Sequence, residues 1–404
     1  MEKKRIVFLE EGQGIGGAET ALIGLLKYLD KSRFEPLVII SAKSSFYTAL
    51  EELGPQIKTV ILNTPSFVST SWEIGNRRIP NPFSIFYNSI LIFIKAVKIS
   101  NYLSDKEIFI IQTNDIYAHI YGGIVSKIKR IFCIWWFQDI PSKSFFFGLG
   151  RVFLNFSGVI LPQKIIAISQ AVKESFSSFL SAKLILVPLG VDFKRLETED
   201  TETRVKLKES MGFNFKDIVV GMTSRVVPWK GHEVFLKSAS LLSKEYPNLK
   251  FLIVGGTTFG RSSYLCKLKT LSEKLGIDRK VVFTDFVYTM GDMLSAIDIL
   301  VHASIRPEPF GLDIVEAMSL GKAVIASDIG APREIIDNNK NGILFKSADP
   351  IALSKALREI LDSPQKGIEL GQAAKIKAKD KYPAEKLAKN FERIYLVKES
   401  EAKS

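Results

Sequence analysis

The 404-residue chain is predicted to be an α/β protein made of two doubly wound, parallel-sheet domains facing across a cleft. Three observations predict this. Short β-branched apolar runs alternate with longer amphipathic segments along most of the chain. The length exceeds the roughly 250–300 residues at which single cores stop growing. A polar run from Glu197 to Ser210, with no strand pattern, divides the apolar runs into two sets and follows a linker near Pro188–Asp192.

In chain order, strands are expected at Arg5–Leu9, Pro36–Ile40, Thr59–Leu62, Ile108–Gln112, Ile131–Trp135 and Lys164–Ile168 in the first half. In the second half they are expected at Ile218–Met222, Lys250–Val254, Val281–Thr284, Ile299–His302, Ala323–Ala326 and Gly342–Phe345. The tail from Pro364 to Glu399 reads as helices. An apolar content of 46% is enough for two cores. Ligands of such sheets bind beyond the carboxyl ends of the strands, so those loops hold the candidate residues.

Composition narrows the function. Two distant cysteines, Cys133 and Cys266, exclude a disulfide framework or zinc cluster and suit a reducing compartment. The opening M-E-K-K-R-I-V-F-L-E-E is not a signal peptide, and no stretch approaches about 20 uninterrupted apolar residues. A cytoplasmic protein is expected, or one peripheral on the cytoplasmic face of a membrane. Net charge is +12, and Arg77 to Lys183 holds 13 Lys or Arg against 5 Asp or Glu, a local +8. Such a surface suits anionic lipid or phosphorylated substrates; no basic-aromatic motif supports nucleic acid.

The first strand runs into E-E-G-Q-G-I-G-G-A-E-T. Gly12, Gly14 and Gly17 match G-x-G-x-x-G, but the second strand ends in Ser41 and Lys43 where a dinucleotide site needs an acid. Gly16 and Gly17 are therefore read as a loop approaching an acceptor or phosphate. Asp115 follows the fourth strand, and His119 lies in a helical segment where packing is the commoner role. Gln138 and Asp139 leave the fifth strand; Asp139 suits a base or an orienting group for an acceptor hydroxyl, or a helix cap.

The second half opens with G-M-T-S-R-V-V-P-W-K-G-H-E. Arg225 and Lys230, five residues apart after a strand, can clamp a diphosphate and neutralise a leaving group. Gly255 and Gly256 end a strand where backbone can pass close to a ligand. Thr284 to Val287 leave the next strand, and Val287 is read as lining a base. Gly330 and Glu334 read as support for the site.

The richest stretch is R-P-E-P-F-G-L-D-I-V-E-A-M, Arg306 to Met318. Glu308 lies between two prolines, in a stiff loop. Phe310, Gly311 and Leu312 offer amides at a helix start, which favours an anion. Glu316 falls in the helix. The order matches a nucleotide-sugar, with sugar hydroxyls at Glu308, phosphate at the amides and ribose at Glu316. No Ser-His-Asp pattern, P-loop or metal-ligand cluster is evident, and no D-x-D motif is present, so no metal and no cofactor are expected.

The glycine loop, the R-x4-K pair and the E-x7-E motif, in this order, resemble retaining glycosyltransferases of family 4, with the GT-B fold. The resemblance covers roughly residues 5–395. It implies residues 1–190 as an acceptor domain, 191–380 as a nucleotide-sugar donor domain, and 381–404 as a helix packing back on the first domain. By similarity Arg225 and Lys230 bind the donor diphosphate, Glu308 the sugar, Phe310–Leu312 its phosphate and Glu316 the ribose. Gly16 and Gly17 would border the acceptor and phosphate. One departure is that many relatives carry a histidine where Gln138 stands; glutamine can position a hydroxyl but not exchange its proton.

The implied reaction is metal-independent transfer of a hexose-type sugar, with retention, to a hydroxyl of a glycan or lipid-linked acceptor. A phosphorylase or epimerase on the same fold, or a silent nucleotide-sugar binder, would share these motifs. Phe83–Ile99 and Ser144–Leu161 are apolar segments within the basic region. They fit contact with an anionic membrane surface, or core helices of the first domain.

Overall fold

A computed structural model describes residues 2–12, 14–74, 77–141, 149–197, 201–256, 262–284 and 289–401. The chain divides into two compact units, residues 1–190 with 384–404, and residues 191–383.

Unit 1 contains strands β1 (Lys4–Glu10), β2 (Phe34–Ile40), β3 (Lys58–Ile61), β4 (Ser71–Ile74), β5 (Arg77–Pro80), β6 (Ile110–Thr113), β7 (Phe132–Phe137), β8 (Lys164–Ala167) and β9 (Leu184–Leu186). Its helices are α1 (Gly17–Tyr28), α2 (Ser45–Glu52), α3 (Pro82–Tyr102), α4 (Ile116–Lys129), α5 (Leu149–Ile160) and α6 (Gln170–Lys173). Seven strands form one parallel sheet in the order β3-β2-β1-β6-β7-β8-β9, while β4 and β5 pair as an antiparallel hairpin.

Unit 2 contains α7 (Thr201–Ser210), β10 (Ile218–Thr223), α8 (His232–Leu242), β11 (Leu249–Val254), α9 (Ser262–Lys274), β12 (Val281–Thr284), α10 (Met290–Ala296), β13 (Ile299–His302) and α11 (Leu312–Ser319). It continues with β14 (Ala323–Ser327), α12 (Pro332–Ile335), β15 (Ile343–Phe345), α13 (Pro350–Leu361) and α14 (Pro364–Lys381). Its six parallel strands run β12-β11-β10-β13-β14-β15. The last helix, α15 (Ala384–Glu401), belongs to unit 1, where it packs on α1 with Ala384 against Gly24.

All twelve strands expected from apolar runs form, with ends within two residues. Strands β4, β5 and β9 were not anticipated. β9 is a three-residue edge strand with a half-exposed side, too short to show a period.

Alternation along β7 separates the two faces of the unit 1 sheet. Trp135 and Phe137 stack on His119 of α4, each at 5.0 Å, while Trp136 points to the other face and meets Phe391 of α15 at 4.8 Å. Helices α3 and α4 bury Ala96, Ile99, Ala118 and Tyr121 over Val7, Leu9 and Ile111. Gly123 of α4 lies so close to Leu161, just after α5, that a Cβ would sit 2.6 Å from it. Thus α3, α4 and α5 cover one face, and α1 and α15 the other. This follows from right-handed crossovers that reverse direction between β3 and β6.

The sequence suggested no spanning stretch, yet α3, at 21 residues, is long and apolar enough to cross a membrane by length and composition. Its inner side nevertheless packs on the sheet, with Leu91, Lys95, Ala96 and Ile99 buried.

Candidate functional site

Each sheet has one point where strand order reverses, between β10 and β13 in unit 2 and between β1 and β6 in unit 1. Loops leaving adjacent strands there diverge to opposite faces and open a crevice for ligands. In unit 2 these loops carry Arg225 with Lys230, and Glu308 through Glu316.

The two loops of unit 2 are joined through backbone and side chains. Ile305 N donates to Trp229 O at 2.8 Å. Gly231, at φ +78°, lies so close that a Cβ would come within 1.9 Å of Ala303 O, so only glycine fits. Lys230 Nζ donates to both oxygens of Glu308, at 2.9 and 2.8 Å, and Ser304 Oγ donates to Oε2 at 2.8 Å. His302 Nε2 is 3.5 Å from the same oxygen, and its Nδ1 is 2.8 Å from Asp313 Oδ2. Burial pulls the His302 imidazole down, but Asp313 and Glu308 outweigh it and carry it up to about 9. Burial would raise Glu308, yet Lys230 and His302 hold it well below the usual carboxylate range. Glu308 is thus a fixed anion between two cations. Lys230 pairs with Glu308, while Arg225 is exposed with no partner among the described residues.

Helix α11 starts at Leu312 behind Gly311, whose φ of +101° turns the chain into the helix. Among the described residues no acceptor engages the amides of Phe310, Gly311 or Leu312, which leaves the start of this helix with the unpaired donors that an anion can use. One turn further in, Glu316 is buried and forms an ion pair with Arg195. Burial raises Glu316 to about 7, against the pull of Arg195 and with a further push from Asp313.

Other positions named from sequence divide by role. Gly255 has φ +149°, and a Cβ there would fall 2.0 Å from Ser224 O, so this glycine lets the β11 loop close against the β10 loop. Gly330 bridges to Glu308: Ala331 N donates to Glu308 O at 3.0 Å, and a Cβ on Gly330 would meet Glu308 N at 2.4 Å. It supports the Glu308 backbone. Val287 lies outside the described residues.

In unit 1, Gly16 and Gly17 are exposed at the start of α1, with Gly16 N donating to Glu19 Oε2 at 2.9 Å. Behind them the strand reversal is acidic. Glu11 N donates to Asp115 Oδ2 at 2.9 Å, and Glu11 accepts from Lys95 Nζ at 2.8 and 2.7 Å and from Ser41 Oγ at 2.9 Å. Burial and the neighbouring Asp115 and Glu19 raise Glu10 well above its usual range; burial and Glu11 carry Asp115 to about 7. Gln138 and Asp139 follow β7, and neither end of the Gln138 amide has a partner among the described residues. His119 is a core residue: burial pulls it down to about 3, and Thr113 Oγ1 lies 2.7 Å from Nδ1.

Arg195, His302, Ser304 and Asp313, together with Lys95 and Glu11 in unit 1, were not found from sequence. His302 had one signal, its place at the carboxyl end of a strand next to the reversal. Arg195 had none beyond being a cation after the linker.

Residues 203–377 match the family model of glycosyl transferases group 1. This part of the chain resembles the group 1 glycosyltransferases. The match contains Arg225, Lys230 and Glu308 through Glu316, the residues of the loops at the unit 2 strand reversal. A GDP-mannose-dependent alpha-(1-6)-phosphatidylinositol monomannoside mannosyltransferase of Mycolicibacterium smegmatis is 27% identical over 53% of this chain and 57% of its own. An uncharacterized glycosyltransferase, MJ1069 of Methanocaldococcus jannaschii, is 24% identical over 94% of this chain and 95% of its own. That protein apart, the chain spans about half the length of the curated relatives it matches. Among solved structures, Anabaena Alr3699/HepE in complex with UDP and glucose superposes with a TM-score of 0.80, at 25% identity, covering 96% of this chain and 98% of that one. The fold is GT-B, with two parallel-sheet Rossmann-like units.

Proposed function

We propose that this chain is a glycosyltransferase that moves a hexose-type sugar from a nucleoside diphosphate to a hydroxyl, with retention and without a metal ion. The observation that carries the reading is the unit 2 crevice, where a fixed carboxylate, two cations and a helix start converge on one ligand path. Arg225 and the α11 amides take the diphosphate, and Lys230 shares its charge between Glu308 and a phosphate. Glu308 holds sugar hydroxyls and Glu316 the ribose. The bond from acceptor oxygen to the anomeric carbon forms as the bond from that carbon to the phosphate oxygen breaks. The acceptor proton goes to the departing diphosphate. A divalent ion would serve to neutralise that leaving group; this reading gives the task to Arg225, Lys230 and the amides.

In unit 1, Gly16, Gly17, Gln138 and Asp139 serve the acceptor, a glycan or lipid-linked alcohol. The unpartnered Gln138 amide suits positioning of a hydroxyl, not proton exchange. Two relatives support the substrate class in their own names: one is GDP-mannose-dependent, and one was solved with UDP and glucose. A cytoplasmic location with peripheral attachment to an anionic membrane belongs to the same proposal.

Thermal-shift measurements with UDP, GDP and ADP and their sugars test it. One nucleotide should raise the midpoint, and silence from all of them would defeat the reading. Glu308→Gln should lower turnover by about 10²-fold or more while nucleotide affinity changes only severalfold. Arg225→Ala should weaken both.

A further inference from the structure

Helices α3 and α5 turn apolar faces to solvent. On α3, Phe83, Phe86, Ile90, Phe93 and Val97 recur at three- and four-residue spacing; Phe83 is 77% exposed and Phe93 66%. Three polar residues of this helix, Asn88, Lys95 and Ser100, lie inward. Asn88 is buried and bonds both N and O of Val68, and Lys95 is fully buried against Glu11. On α5, Val152, Phe153, Phe156, Val159 and Ile160 share one helical face, with Phe156 63% exposed. With Leu91, Ala96 and Ile99 buried beneath, α3 is apolar on both sides, unlike a helix of a soluble domain, whose single apolar stripe faces the core. Exposed apolar surface of this extent marks an interaction site. Residues 144–148 of the second apolar segment lie outside the described residues.

Charge selects the partner. Helices α3, α4 and α5 share one face of the sheet, and none of the three contains an Asp or Glu. Lys98 and Lys127 are exposed on them, and Lys129 and Arg151 are partly exposed. Aromatic helix faces bordered by cations and without an acid of their own fit phospholipid headgroups and the upper acyl region. Although α3 is long enough to span a membrane, crossing would expose Lys95 and Asn88 to hydrocarbon and leave buried Glu11 without its cation. The helix therefore stays on the sheet.

We infer that the outward faces of α3 and α5 seat unit 1 flat in the interface of an anionic phospholipid bilayer. This deepens the membrane part of the proposal above and does not depend on the transfer chemistry.

Cosedimentation of the full chain with vesicles tests it. Vesicles of equal parts phosphatidylcholine and phosphatidylglycerol should carry the protein down, phosphatidylcholine alone should carry less, and added salt should release it. The triple substitution Phe86→Ser, Phe93→Ser and Phe156→Ser should lower partitioning at least about tenfold without altering the thermal midpoint, since all three side chains are exposed. Should that variant misfold, Lys98→Glu with Lys127→Glu gives the second reading, a selective loss on anionic vesicles. Failure of the wild type to sediment with either vesicle, or unchanged binding by both variants, overturns the inference. So does a wild-type dimer in lipid-free solution that the triple substitution converts to monomer, because the faces would then cover each other. Vesicle binding without any nucleotide-induced thermal shift would sink the transfer reading and leave this one standing.

Discussion

At the scale of single residues, the two glutamates of the E-x7-E motif occupy opposite electrostatic environments. Glu308 lies between Lys230 and His302 and is held as an anion. Glu316 is buried deeper and raised to about 7 despite Arg195. Between pH 4.5 and 7, folded Glu316 holds a proton that the unfolded chain has lost, so its contribution to stability declines as pH rises through about 7. On the proposed ribose contact of Glu316, a carboxylate accepts hydroxyls better than a carboxylic acid, so nucleotide affinity should rise over the same range. Calorimetric titration across that range should show the rise in the wild type and a flatter profile in Glu316→Gln, the comparison removing the titration of the nucleotide itself. His302 has the opposite sense. Its folded pKa of about 9 lies above the ordinary 6.5, so its stabilisation is complete below pH 6.5 and is lost as pH rises through 9. Denaturant unfolding of His302→Gln should lack that decline. Neither behaviour was legible in sequence, because both depend on burial and on partners from other segments.

At the scale of elements, α3 joins two surfaces of unit 1. Its outer side is apolar and exposed, while Lys95 on its inner side reaches Glu11 at the end of β1, beside the glycine loop. The pair is buried, so removing one partner leaves an uncompensated charge, at a cost of about 3–5 kcal/mol. Lys95→Met should lower the thermal midpoint of unit 1 accordingly, and Lys95→Met with Glu11→Leu should recover much of the loss. Strand runs were easy to read because each buried parallel strand is a continuous apolar segment. The hairpin β4–β5 and edge strand β9 were missed because short edge strands carry no such signature.

For the whole molecule, the contiguous segment 191–383 forms one compact unit with its own core, and the unit closed by α15 forms another. Scanning calorimetry should resolve two transitions, and the nucleotide that binds should raise the midpoint of one of them by mass action. A single transition in which both halves shift together would contradict that independence.

The sequence alone determined the α/β class, the twelve principal strands, the strand-end location of Arg225, Lys230 and Gln138, and the E-x7-E segment with its helix start. Each is local information, carried by apolar periodicity, proline and glycine within a few residues. Tertiary structure alone decided that Lys230 grips Glu308 from 78 residues away, that His302 and Asp313 complete that network, and that Arg195 meets Glu316. It also decided which side of α3 faces solvent. A period shows that a helix has two sides; only the packing of α3 on the sheet, with Lys95 held by Glu11, shows which side is left for a partner.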